Sequence, residues 1–282
     1  MRSLHSVAFA CACAVLALAG AVLPAAPVAV QIAFAIPLIL ALGLPHGALD
    51  LAVAEARLGA RRGLRRLRFL GAYAGSSGLV IALWCVAPVA ALALFLAYAA
   101  VHFSEDWRDE ARLPARLSFG VAAVVAPFLA DADQVADLFE VLAGERSRTL
   151  ASHVAEVAPA LVGLAVVLAL SEGRHHRRAR LEVPALALLG LTTPPLVTFT
   201  VYFCGLHSVR HLALVGRLLA RSPAKVARAA LPATGAAVVL GLFASALVEG
   251  SATDRALRVT FVGLAALTVP HMIVVARLPR TR

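Results

Sequence analysis

Apolar runs long enough to cross a lipid bilayer recur along this chain of 282 residues. A bilayer-spanning helix needs about 20 mostly apolar residues. Ten runs approach that length, near residues 7–23, 28–50, 69–86, 88–104, 116–131, 153–170, 183–195, 196–220, 228–248 and 256–276. They are rich in Ala, Leu and Val, without the alternation of an outer-membrane β-barrel. We predict an all-α, polytopic transmembrane helix bundle of about 8–10 spans, with residues 1–282 in a single membrane-integral domain.

The composition excludes most soluble proteins. Apolar residues make up 61% of the chain and charged residues only 15%, so polar groups could not cover the surface of a soluble globular enzyme. The same balance excludes disorder. A net charge of +10 would suggest nucleic acid in a soluble protein, but here the basic residues lie between apolar runs. We therefore expect the lipid bilayer, and no nucleic acid, as a partner.

Two of the apolar runs are not simple spans by their sequence. Residues 1–27 form either a first span or a cleaved signal peptide, and we favour the span because Arg2 is the only basic residue before the apolar run. The run at 183–195 is short and ends at Pro194 and Pro195. Because proline interrupts a helix, this segment is predicted to be broken or re-entrant.

The basic connectors predict the orientation in the membrane. Short loops rich in Lys and Arg face the cytoplasm. With ten spans, four basic clusters fall on one side and the acidic stretch 131–145 falls on the other. We therefore predict cytoplasmic N- and C-termini in a multi-pass protein of the inner (cytoplasmic) membrane. The clusters lie at residues 57–68, 174–180, 217–228 and 277–282.

Five histidines lie within the apolar runs, where ionisable residues are costly and usually functional. His207 and His211 are spaced i, i+4, which places both imidazoles on one face of a helix, where they could chelate one ion. The other three are His46, His102 and His271. Alone, each of these is more often a packing residue than a ligand.

Carboxylates follow two of these histidines at the spacing of one helical turn. Asp50 follows His46, and Glu105 and Asp106 follow His102. Metal-bound histidines usually donate their second N–H to such an acceptor, so we predict that these carboxylates orient the two rings. Glu105 and Asp106 could instead be ordinary charged residues at a helix end.

A site of four neutral imidazoles has specific chemical consequences. Because neutral imidazoles carry no charge, a divalent metal keeps its full charge. Octahedral Fe(II) bound by four of them would keep open coordination positions for dioxygen and a substrate. Burial in a lipid-facing bundle indicates an apolar substrate. Two other classes of protein stay open. One is a transporter of metal ions or protons, and the other is a non-enzymatic subunit whose histidines serve packing or bind haem.

Four motifs together resemble the Brp/Blh family of membrane-integral β-carotene 15,15′-dioxygenases. The resemblance covers about residues 35–276, and each motif stands in an apolar run. The motifs are His46-Gly47-x-x-Asp50, His102-Phe103-x-Glu105-Asp106, His207-Ser208-x-Arg210-His211 and Pro270-His271.

The resemblance implies an activity and a ligand set. The family cleaves the central double bond of β-carotene with O2 and releases two retinal molecules, which serve a microbial rhodopsin. It implies Fe(2+) bound by His46, His102, His207 and His211. It does not define the role of His271, which would lie either behind these ligands or in the substrate pocket.

Asp50, Glu105, Asp106 and Arg210 would surround the ligands, although Arg210 could simply extend to the membrane surface. The aromatic residues Phe103, Trp107, Tyr202 and Phe203 would line a polyene channel or pack the bundle.

Overall fold

A computed structural model describes residues 2–57, 59, 63–171 and 177–277. This part of the chain is helical almost throughout and contains no strand, which confirms the all-α prediction. Its α-helices are α1 Arg2–Val22, α2 Val28–Leu38, α3 Leu44–Ala48, α4 Asp50–Arg57, α5 Gly63–Val86, α6 Pro88–Ser104, α7 Leu113–Val125, α8 Ala132–Ala143, α9 Ser147–Ser171, α10 Ala179–Thr192, α11 Pro195–Thr200, α12 Val209–Leu218, α13 Pro223–Leu247 and α14 Ala252–Ala276.

Among the described residues, seven helices are long and apolar enough to cross a membrane. An eighth candidate is the pair Leu113–Phe128 and Ala132–Ala143, which is bent by 96°. The polytopic helical bundle is thus confirmed, but the expected 8–10 spans are reached only at the lower limit. The seven are Leu4–Val22, Val28–Arg57, Gly63–Val86, Pro88–Trp107, Ser147–Ser171, Pro223–Leu247 and Ala252–Ala276.

Two of the ten runs account for the remaining difference. The run at 183–195 lies in α10, which has 14 residues and ends at Thr192. Thr193 is extended and Pro195 begins a new helix, so the break predicted at the two prolines is present. The run at 196–220 is helical, but His207, Arg210 and His211 lower its hydropathy. Because the side assigned to the basic connectors depended on ten spans, the cytoplasmic termini stay a prediction. Residues 60–62, 172–176 and 278–282, which carry part of those clusters, lie outside the described residues.

The chain divides into two compact units that are interleaved in sequence, and the single-domain organisation stays a prediction. The first unit consists of Met1–Ala35 and Leu92–His207. Within it α1 packs on α10, and α7, α8 and α10 pack on α9. The backbones of α6 and α7 approach each other very closely. A Cβ atom on Gly120 of α7 would overlap the carbonyl oxygen of Ala100 in α6. Small residues permit this spacing between membrane helices.

The second unit consists of Ile36–Ala91 and Ser208–Arg282. Within it α14 packs on α5, and α13 packs on α3, α12 and α14. Helix α14 begins with a capping box between Ser251 and Asp254, which satisfies N–H groups at the helix start. An aliphatic cluster from α4, α12, α13, α14 and the residue before α4 forms the core: Leu49, Val53, Val215, Val226, Ala230 and Val274.

Two π-helical segments interrupt the α-helices beside the motifs. Ile39–Gly43 leads directly into α3, which carries His46. Val201–Ser208 contains His207 and leads into α12. The π-helix is rare and is frequently found at functional sites. The spacing predictions for His46 and His207 hold only for ordinary α-helix, which neither place contains throughout.

Candidate metal centre

Three imidazoles meet in the second unit. His46 on α3, His211 on α12 and His271 on α14 are 7%, 8% and 2% exposed. Their ring centroids are 5.5 Å apart for His46 and His211, 5.0 Å for His46 and His271, and 4.7 Å for His211 and His271. Residues that are distant in sequence therefore form a buried imidazole triangle.

A buried carboxylate orients one corner of this triangle. Both oxygens of Asp50 lie within hydrogen-bond distance of His271 Nδ1, at 2.9 and 3.0 Å. The Tyr73 hydroxyl donates to Asp50 Oδ2 at 3.0 Å. Since a carboxylate accepts, His271 carries its proton on Nδ1, and Nε2 is the ring atom that could bind a metal. Asp50, His211 and His271 each offer one ligand atom, and these atoms lie within 4.8 Å of one another.

The predicted bond between His46 and Asp50 is wrong. The Nδ1 atom of His46 instead contacts the carbonyl oxygen of Gly43, and Ser208 Oγ lies 3.4 Å from it. The cause is a break in the helix at Leu49, whose φ of −84° and ψ of −5° separate α3 from α4. The i, i+4 relation holds only for an unbroken α-helix, so Asp50 is directed to His271.

The first unit contains a second carboxylate–histidine pair. The ring centroids of His102 and His207 are 4.6 Å apart, and both side chains are buried. The Asp106 Oδ2 atom lies 3.2 Å from His207 Nδ1. The Tyr202 hydroxyl donates to the same oxygen at 2.7 Å. Asp106 therefore orients His207, a partner that the spacing did not suggest.

Glu105 has a different role from Asp106. Helix α6 ends at Ser104, and Glu105–Trp107 form a 3₁₀ turn. Glu105 forms ion pairs with Arg108 at 3.0 Å and Arg116 at 2.9 Å. It is thus a charged residue at a helix end, which was the alternative considered for it. The prediction that Glu105 orients His102 is therefore wrong, whereas the same role for Asp106 stays a prediction.

Aromatic side chains surround His207. The Phe103 ring centroid is 5.0 Å away, and Phe203 stacks on the imidazole at 5.9 Å with an interplanar angle of 16°. Trp107 stacks on Tyr202 at 6.3 Å, so it supports the residue that bonds Asp106. Of the four predicted aromatic residues, Phe103 and Phe203 pack directly on His207.

Three polar residues of these sites were not predicted from the sequence to have a role, although Ser208 stands in one of the motifs. Glu182 on α10 is fully buried, and it accepts a hydrogen bond of 2.9 Å from Trp107 Nε1. Tyr73 contacts Asp50, and Ser208 contacts His46. For tyrosine, its rarity in the sequence was an available signal. The chain has three tyrosines, and two of them donate hydrogen bonds to Asp50 and Asp106. Arg210, at the start of α12, is half-buried.

The donor set fits a transition metal. Imidazole nitrogen suits Fe, Zn, Cu and Ni, and a carboxylate behind a histidine is the usual support of a metal-bound ring. Burying these groups inside apolar helices is expensive. Fold and site together define a polytopic membrane protein with buried histidine groups suited to a metal.

Comparison with known proteins identifies the family. A family model described as beta-carotene 15,15′-dioxygenase matches residues 37–279. The chain belongs to this family, as its motifs indicated. A curated relative named beta-carotene 15,15′-dioxygenase, from an uncultured marine bacterium 66A03, is 30% identical over 262 residues, with 86% of this chain and 91% of the relative covered. No solved structure matches the chain.

Proposed function

We propose that this protein cleaves the central 15,15′ double bond of β-carotene with O2 and releases two molecules of retinal. Family membership supports this enzyme activity over a transporter or a packing subunit. The structural observation that carries the proposal is the pair of buried histidine–carboxylate groups, Asp50 with His271 and Asp106 with His207. Such groups are rare in membrane helices unless they bind or transfer something.

The reaction needs no co-reactant beyond O2. One carbon–carbon double bond breaks, two carbon–oxygen double bonds form, and each aldehyde takes one oxygen atom. No proton donor or external reductant is therefore required from the protein. Fe(2+), when bound, supplies open coordination positions at which O2 becomes reactive.

We propose His46, His102, His207 and His211 as the iron ligands, as the family resemblance implies. The chain's own contribution is to fix these rings. Asp106 accepts the Nδ1 proton of His207, so that Nε2 is the coordinating atom. The Gly43 carbonyl has the same relation to Nδ1 of His46. The reaction transfers no proton, so these histidines would serve to hold the metal and not as acids or bases.

The surroundings suit an apolar polyene. Phe103 and Phe203 pack on His207 and are each 6% exposed. Aromatic faces exclude water and stack on conjugated chains. We propose that β-carotene enters from the bilayer, that the protein lies in the inner (cytoplasmic) membrane, and that retinal passes to a microbial rhodopsin.

Pigment analysis tests the activity. The protein is produced in a bacterium that accumulates β-carotene, and the extracted pigments are separated by chromatography. We expect β-carotene to fall and retinal to appear with the wild-type chain, and neither change with His207→Ala. His153→Ala is the matched control, since His153 is exposed, and it should behave as wild type. Persistent β-carotene with folded wild-type protein in the membrane would contradict the proposed substrate.

A further inference from the structure

We infer that His271 is itself a metal ligand, and that Asp50 and Tyr73 are the positioning residues that hold it. This rests on the proposed metal-dependent function. The resemblance left His271 without a defined role, and its motif, Pro270-His271, has no neighbouring carboxylate in sequence. The inference rests on an arrangement of tyrosine, aspartate and histidine that is present among the described residues of each unit.

The two arrangements have the same chemistry. In the first unit, His207 Nδ1 contacts Asp106 at 3.2 Å and the Tyr202 hydroxyl donates to Asp106 at 2.7 Å. In the second unit, His271 Nδ1 contacts Asp50 at 2.9 Å and the Tyr73 hydroxyl donates to Asp50 at 3.0 Å. A tyrosine fixes the carboxylate, and the carboxylate fixes the tautomer of the imidazole. If the first arrangement supports a ligand, the second supports one equally.

The position of His271 also suits coordination. A metal–nitrogen bond of about 2.1 Å places an imidazole centroid about 3.2 Å from the metal, so two ligand rings are about 4.5 Å apart at a right angle and about 5.2 Å apart at a tetrahedral angle. The His271 ring is 4.7 Å from His211 and 5.0 Å from His46. His271 therefore stands where a third ligand beside these two would stand.

The cost of the arrangement favours a function over packing alone. Asp50 is 3% exposed and His271 is 2% exposed, on helices whose other buried neighbours form an aliphatic core. Apolar residues of similar volume would usually be as stable there as a buried polar pair. A carboxylate behind the ring is also the usual support of a metal-bound histidine.

A cysteine in place of the histidine reports coordination directly. The full-length protein is purified in detergent and loaded with Co(II), the probe metal. A thiolate bound to Co(II) gives a near-ultraviolet charge-transfer band, which a structural residue would not produce. We expect this band in His271→Cys. It should be missing from wild type and from Thr268→Cys, the matched control one turn earlier on α14. The wild-type spectrum corrects for the four native cysteines.

Two further variants keep the test decisive if His271→Cys does not fold. His271→Gln removes the imidazole at similar size, and Tyr73→Phe removes only the hydroxyl behind Asp50. We expect Co(II) affinity to fall at least about tenfold for His271→Gln, and to fall measurably for Tyr73→Phe. Wild-type affinity in both variants, or a folded His271→Cys protein without the band, would overturn the inference.

The same samples separate this inference from the proposed function. A charge-transfer band with no retinal formed by the wild type would leave His271 as a ligand and refute the dioxygenase. Full retinal formation and full metal content in His271→Gln would refute only the role of His271. A wild-type protein that binds no metal would refute both.

Discussion

The hydroxyl of Tyr202 is predicted to control metal affinity through two other side chains. It donates to Asp106 Oδ2 at 2.7 Å, and the same oxygen contacts His207 Nδ1 at 3.2 Å. Tyr202→Phe deletes this one oxygen. The ring stays fully buried against Trp107 and Phe103, so the change leaves the packing largely intact.

The size of the effect follows from the bond that is lost. A hydrogen bond to a charged group contributes about 1.5–3 kcal/mol, and about 1.4 kcal/mol corresponds to a factor of ten. If the whole loss fell on the metal-bound state, affinity would fall roughly 10- to 150-fold. Asp106 keeps its contact with His207, so only part is transmitted and we expect about tenfold, at the lower end of the range for partners of metal ligands.

A competition titration with a chelator measures this change in purified protein, and retinal formation is followed in parallel. Tyr98→Phe is the matched control, because it removes the same atom from α6, where the Tyr98 ring packs on Phe95 at 5.6 Å. Asp106→Asn and the double variant complete a mutant cycle. Unchanged metal affinity in Tyr202→Phe, or additive losses in the cycle, would refute the coupling from Tyr202 through Asp106 to the metal.

Three further changes have defined outcomes. Gly120→Ala should lower stability by about 1–3 kcal/mol, because the new Cβ meets the Ala100 carbonyl oxygen; thermal unfolding in detergent measures it, and an unchanged midpoint would contradict the close helix contact. Glu182→Leu should cost about 1–3 kcal/mol by leaving the indole N–H of Trp107 buried without its acceptor, whereas Glu182→Gln keeps an acceptor and should cost less; equal losses would argue against the hydrogen bond. Ser251→Ala removes the capping box of α14 and should cost about 0.5–2 kcal/mol, while Ser251→Asp should retain most of the stability if capping is the cause.

The fold class and the reactive residue types could be predicted from the sequence because both follow from burial costs. A run of twenty apolar residues has few alternatives to a membrane helix, and a histidine within it is exceptional. The number of spans was less predictable. The run at 183–195 and the helix around His207 and Arg210 differ in length and polarity from the other spans, and the bend of 96° after Phe128 has no clear signal in hydropathy.

The partners within the site could not be predicted, because they depend on local departures from α-helical geometry. Asp50 is four residues after His46 in sequence, yet the break at Leu49 directs it to His271, more than two hundred residues away. The 3₁₀ turn at Glu105–Trp107 similarly separates the roles of Glu105 and Asp106. Spacing rules assume one helix type, and they fail where the type changes. Tyr73 and Glu182 come from other helices, which spacing cannot reach.

The π-helical turns at Ile39–Gly43 and Val201–Ser208 restrict how the gene can change. In an α-helix each residue advances the direction of the following side chains by about 100°. A π-helical turn holds about one more residue than an α-helical turn, so each segment accommodates an extra residue with little change in the direction of the side chains beyond it. Loss of one residue inside either segment would therefore restore an α-helix and leave His46 or His211 facing nearly as before. A residue gained or lost in the α-helical turn between a segment and its histidine would instead turn that histidine away. Connecting loops such as the one after Val22 carry no such penalty. Among relatives, insertions and deletions in these two helices should therefore fall within the π-helical turns, and the others should collect in the loops, even where the amino acids themselves vary.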